Sequence, residues 1–121
     1  MRWMVFILAL GLSAAANAMP ASEFLARADA LRAKGPFALM SDDLPKLKQA
    51  VVDAGGQLRA ERLAAAAAHR PPLYCPPGGH GSLNADELTA TIRAMPPAAR
   101  AKTELKEAMR VVMIRKYPCP A

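Results

Sequence analysis

The chain predicts an all-α fold, a small bundle of four to five helices with one disulfide. Three observations carry that expectation. Apolar residues recur at three- and four-residue spacing in several segments, and no segment sustains the period-two alternation of a half-buried strand. Helical segments open on capping residues or Pro and stop at Gly or Pro. One long Pro/Gly run, Pro71-Pro72-Leu73-Tyr74-Cys75-Pro76-Pro77-Gly78-Gly79-His80-Gly81, separates two helical halves.

The first residues read as a leader. Met1-Arg2-Trp3 is followed by an apolar stretch from Met4 to Leu12 and then by Ala16-Asn17-Ala18. A positive start, a short apolar run and an A-x-A site make a secretory signal peptide, cut after Ala18. The run is too short for a permanent membrane span, and no cysteine stands at the cut, so no membrane anchor is expected. Residues 19–121 then form a single helical domain with a Pro/Gly-rich central loop at 70–82. The expected localisation is periplasmic.

The first helix runs from Pro20 to Lys34. Phe24, Leu25, Ala28 and Leu31 share its apolar face, and Gly35-Pro36 stops it. Phe37, Ala38, Leu39 and Met40 read as a buried apolar connector. Ser41-Asp42-Asp43 caps a second helix, with Pro45 in its first turn. Leu44, Leu47, Val51 and Val52 form its stripe. Gly55-Gly56 kinks or breaks the pattern, and the continuous helix is the preferred reading. Gln57 to His69 is helical by propensity, with Leu58 and Leu63 as its large apolar residues and Ala64 to Ala68 as filler.

After the loop, Asn84 and Glu87 make a capping-box pair, and Leu83 and Leu88 a hydrophobic staple. That helix reaches about Ala94, with Leu88 and Ile92 inward, and Met95-Pro96-Pro97 ends it. Pro97 to Arg100 adds a turn. Thr103 caps a last helix through Lys116, whose Leu105, Met109, Val112 and Met113 face the core, broadened by Ala108, Val111 and Ile114.

The net charge is +6, but the basic residues are scattered. Trp3 lies in the leader, so the exported part lacks a stacking platform for single-stranded nucleic acid, and nucleic acid is not an expected partner. A basic surface instead suits electrostatic steering toward an acidic protein.

Two cysteines in an exported domain read as a Cys75–Cys119 disulfide. Closing a loop of about 45 residues contributes roughly 4 kcal/mol on chain entropy. His69, Cys75, His80 and Cys119 add up to a zinc set, but their spacing matches no finger or ribbon and oxidation consumes both thiolates, so no metal and no cofactor are expected. Ser82 stands near His80 and Asp86, yet proximity along a loop does not make a triad. Asp42-Asp43 and Asp86-Glu87 are explained by capping. The glycines near His80 lack the Lys-Ser/Thr of a phosphate loop. The reading is therefore a binding protein with no enzymatic activity, whose candidate partner-binding residues are Pro77, Gly78, Gly79, His80 and Gly81.

One combination resembles a known family. A leader precedes a helical domain with Tyr74-Cys75-Pro76-Pro77 midway, the Leu83 and Leu88 helix start, and a closing Tyr117-Pro118-Cys119-Pro120. This resembles the Tai-type and resistance-associated immunity proteins of type VI secretion, over about Leu73 to Pro120. The resemblance implies a periplasmic protein that binds a peptidoglycan-cleaving amidase effector and occludes its cleft, often as a homodimer. It gives no residue-by-residue inhibitory contacts. The alternative is a small periplasmic stress or chaperone-like helical protein without enzymatic activity.

Overall fold

A computed structural model describes residues 19–120. The signal-peptide reading of residues 1–18 lies outside the described residues. Among the described residues five α-helices follow in order: α1 (Ala21–Ala33), α2 (Asp43–Ala67), α3 (Ala85–Ala94), α4 (Pro97–Lys102) and α5 (Leu105–Lys116). Short 3₁₀ turns form at Gly35–Met40 and Pro77–Gly79. The all-α expectation and its disulfide are both present. No strand forms among the described residues, and one isolated antiparallel bridge joins Pro20 to Glu104. In it the Ala21 amide donates to the Thr103 carbonyl at 2.7 Å and the Leu105 amide to the Met19 carbonyl at 2.8 Å. The start of α1 is thereby tied to the junction of α4 and α5.

α5 packs against both α2 and α3, and α1 packs against α2, α3 and α4. The core they share contains Phe24, Leu25 and Leu31 of α1, Leu47, Ala54 and Leu58 of α2, Leu88 and Ile92 of α3, and Leu105, Ala108, Met109 and Val112 of α5. Leu88 and Ile92 are its largest fully buried side chains.

Local chemistry explains the helix ends. The Ser41 hydroxyl accepts from the Asp43 amide at 3.3 Å, which satisfies one of the free donors at the start of α2. α2 runs without interruption through Gly55-Gly56 to Ala67, as the preferred reading expected. It ends in paired reverse bonds, the His69 amide to the Ala66 carbonyl at 3.1 Å and the Arg70 amide to the Ala65 carbonyl at 2.8 Å. This is a Schellman stop, with His69 at φ 54° in the place glycine usually takes.

The capping box of α3 is complete. Asn84 Oδ1 accepts from the Glu87 amide at 2.8 Å, and Glu87 Oε2 accepts from the Asn84 amide at 3.2 Å. Leu83 packs on the core beside buried Leu88. Asn84→Ala is expected to cost about 1 kcal/mol. Thermal denaturation should then show a midpoint about 4–8 °C lower.

Four expectations need correction. The Phe37–Met40 connector is not buried: Phe37, Leu39 and Met40 are 71%, 80% and 82% exposed. A 3₁₀ turn carries its side chains in a tight spiral, and here only Ala38 of the four packs against the core. Val52 of the expected stripe is exposed, because the buried face of α2 passes through Leu47, Ala54 and Leu58. Val111 and Ile114 lie toward the outer face of α5 and do not broaden the core. Thr103 does not cap α5. Its hydroxyl donates to the Ala99 carbonyl at 2.7 Å and closes α4, so the extended Glu104 precedes α5 without a side-chain cap.

Candidate functional site

The site is built where the C-terminal end of α2, the central loop and the end of α5 meet. Past the Schellman stop the chain turns through Pro71 and Pro72, and Tyr74 is buried. Cys75 is bonded to Cys119 with the two Cα atoms 4.9 Å apart, inside the ordinary range for such bridges. Beside it the Cys75 amide donates to the Tyr117 carbonyl at 2.8 Å. The start of the loop is thus stapled to the segment after α5 by a covalent bond and a backbone bond.

The tip, Pro77–Gly79, is a 3₁₀ turn with Gly78 at φ 61° and Gly79 at φ 75°. Both angles lie in the left-handed region, where a side chain is strained. Arg62 of α2 donates through Nη2 to the Gly79 carbonyl at 2.6 Å, and its guanidinium lies 5.7 Å from the centre of the Tyr74 ring. At the far shoulder the Ser82 amide donates to the Tyr117 phenol oxygen at 3.0 Å, and that phenol donates back to the Ser82 carbonyl at 3.2 Å. The side-chain hydroxyl and backbone of Ser82 hold the Tyr117 phenol below its ordinary pKa. Gly81 fits because it lacks a side chain: a Cβ there would run into the Met113 methyl and sit 3.2 Å from Tyr117 Cε2.

All five sequence-selected tip residues, Pro77, Gly78, Gly79, His80 and Gly81, are exposed and contiguous. They lie pinned along the end of α2 and α5, held by Arg62, Tyr117 and Ser82. Sequence reasoning named Ser82 only as a triad candidate and Tyr117 only in the terminal motif, and assigned none of the three to holding the loop. Tyr117, two residues before Cys119, was the available signal. The loop is held at both shoulders, which is more than a staple at its base supplies.

The arrangement does not join the catalytic candidates. The Ser82 hydroxyl is 3.3 Å from the Tyr117 phenol, while Asp86 is paired with Arg32. His69 and His80 are both exposed, and the disulfide takes both sulfurs, so no thiolate remains to bind metal. No helix among the described residues is long and apolar enough to cross a membrane.

Two cavities border the loop. One of about 570 Å³ lies between α2, residues 70–74 and α5, lined by Leu58, Arg62, Arg70, Tyr74 and Arg110. A smaller one of about 240 Å³ lies beneath the tip, against Met109 and Met113. Away from the loop, an apolar groove of about 520 Å³ runs between α1, α2 and the start of α3.

No family model, curated protein or solved structure matches the chain. Any functional reading therefore rests on the loop geometry and on the Cys-Pro-Pro frame.

Three carboxylates tie the helices together around this core. Burial pushes Glu61 of α2 up, but hydrogen bonds from Lys106 and Arg110 of α5 outweigh it and hold the carboxyl below its ordinary value. Arg93 of α3 lowers Asp29 of α1, bonding it at 2.8 Å. The Asn84 amide and then Lys116 of α5 lower Glu87 of α3. A carboxyl that is more acidic folded than unfolded stabilises the fold above its unfolded pKa, about 4. That contribution is lost as pH falls through the folded value. Urea midpoints are expected to stay flat from about pH 5 to 8 and to fall below about pH 4. Glu61→Gln should flatten part of that fall; an unchanged acid limb would show that its pairing adds nothing.

Proposed function

We propose that the chain is a periplasmic immunity-type protein that binds a peptidoglycan-amidase toxin and occludes its cleft. The observation that carries this reading is the exposed tip Pro77–Gly81, clamped by the disulfide, by Tyr117 and by Arg62. A surface loop already held in one conformation loses little freedom on binding, so more of its contact energy becomes affinity. The positive leader, the A-x-A site and the disulfide support export. The resemblance of Tyr74-Cys75-Pro76-Pro77 and Tyr117-Pro118-Cys119-Pro120 to the immunity family supplies the amidase as the enzyme class. Inhibition would be physical: the tip fills the cleft, and no bond in the toxin is broken.

The test is capture. Mature protein with its bridge intact is immobilised, exposed to secreted proteins of the producing cell, and its bound fraction identified by mass spectrometry. The expected result is an amidase whose release of peptidoglycan peptides stops at one equivalent of the protein. Recovery of no secreted enzyme would count against the reading.

A second reading, a chaperone-like protein, is favoured by the exposed Phe37, Leu39 and Met40 and by the acid-sensitive ion pairs. Acid loosens such pairing and uncovers apolar surface. Suppression of client aggregation at about pH 3, absent at pH 7, would favour it. Inactivity at both would remove it.

A further inference from the structure

We infer that the cavity between α2, residues 70–74 and α5 is a binding site for a carboxylate carried on an apolar or aromatic body. Its walls are of two kinds. Leu58, Ala65 and the buried Tyr74 give apolar surface, with exposed Leu73 at the mouth. Arg62, Arg70 and Arg110 give positive charge, against one lining carboxylate, Glu61. A volume of about 570 Å³ is in the range of small-molecule sites, which pair an apolar lining with a few convergent polar groups.

The charges do not balance within the cavity. Arg110 pairs with Glu61 and Glu107, and Glu61 also takes Lys106 at 2.9 Å. Arg62 gives one of its donors to the Gly79 carbonyl and keeps others. Arg70 has no ion-pair partner among the described residues, and the Schellman stop fixes its backbone at the cavity edge. Cations thus outnumber acids around an apolar hollow. Guanidinium groups favour planar, bidentate partners, which a carboxylate provides.

Arg62 also links the cavity to the tip. A carboxylate that takes the remaining Arg62 donors shifts the same guanidinium that bonds the Gly79 carbonyl, so occupancy is felt at Gly79 and His80. This goes beyond the toxin-binding reading and stands whether or not that reading holds.

The test is a titration of isotope-labelled mature protein, disulfide intact, followed by amide NMR. The probe is N-acetylphenylalanine; the control is its neutral amide; inorganic phosphate is a third arm. The expected result is saturable shifts at Arg70, Leu73, Tyr74 and Gly79 with the acid at millimolar concentration, and none with the amide. Arg70→Gln, at an exposed position, should keep the rest of the spectrum and weaken the acid about tenfold or more. Equal shifts with acid and amide would overturn the inference. So would undiminished binding by Arg70→Gln, phosphate binding as well as the acid, or no saturable shift with the acid.

Discussion

Removing the Cys75–Cys119 bridge, by Cys75→Ser with Cys119→Ser, lowers the melting temperature by about 15–20 °C. The bridge spans a sequence separation of 44. Constraining the unfolded chain over that length is worth about 4 kcal/mol, and each kcal/mol moves a domain of this size by roughly 4–8 °C. The lower end applies because the folded chain keeps the Cys75–Tyr117 backbone bond and the Tyr117–Ser82 bonds after the sulfurs are gone. Calorimetry of both forms measures the difference. The loss should fall unevenly. Amide exchange should quicken first in residues 72–83 and after Lys116, while α1 and α3 keep their protection, because their core is packed away from the bridge. A drop of only about 2 °C would mean that the hydrogen bonds alone fix the loop.

Ile92→Ala is expected to cost about 3–4 kcal/mol. Ile92 is 0% exposed on α3, which packs against both α1 and α5. Truncation removes buried apolar area and leaves a cavity that three helices together cannot close. Ile92→Val should cost only about 1 kcal/mol. Leu39→Ala, at a residue 80% exposed, should stay within about 0.5 kcal/mol. Chemical denaturation at equilibrium separates the three. Near-equal effects of Ile92→Ala and Leu39→Ala would contradict the core assignment.

The parts of this fold legible in the sequence are those written in local chemistry. Asn84 and Glu87 announce the start of α3 because the capping box uses residues three apart. The stretch from Asp43 to Ala67 stays helical through two glycines, since alanine-rich sequence and the packing of α2 on α5 outweigh their propensity cost. Composition also suffices for the disulfide's partners, because two cysteines allow only one pairing within the chain.

What was not legible depends on distant partners. Phe37, Leu39 and Met40 look like core by hydropathy, yet nothing local says that the 3₁₀ turn between α1 and α2 leaves only Ala38 of the connector packed on the core. Thr103 has the chemistry of a cap. Its carbonyl instead pairs with the Ala21 amide, more than eighty positions earlier in the chain. The loop clamp is of the same kind: Arg62, Ser82 and Tyr117 come from three separate segments and meet only once α2 and α5 have packed.

We propose that the clamped tip Pro77–Gly81 is the surface a toxin meets. The test is a titration of an amidase captured by the protein, or of any amidase effector found encoded next to its gene, with the native protein and with its His80→Glu variant. His80 is exposed and not part of the clamp, so the variant should melt at the same temperature. The expected result is stoichiometric inhibition by the native chain and inhibition weakened about tenfold or more by His80→Glu. Equal inhibition by the two proteins would contradict it.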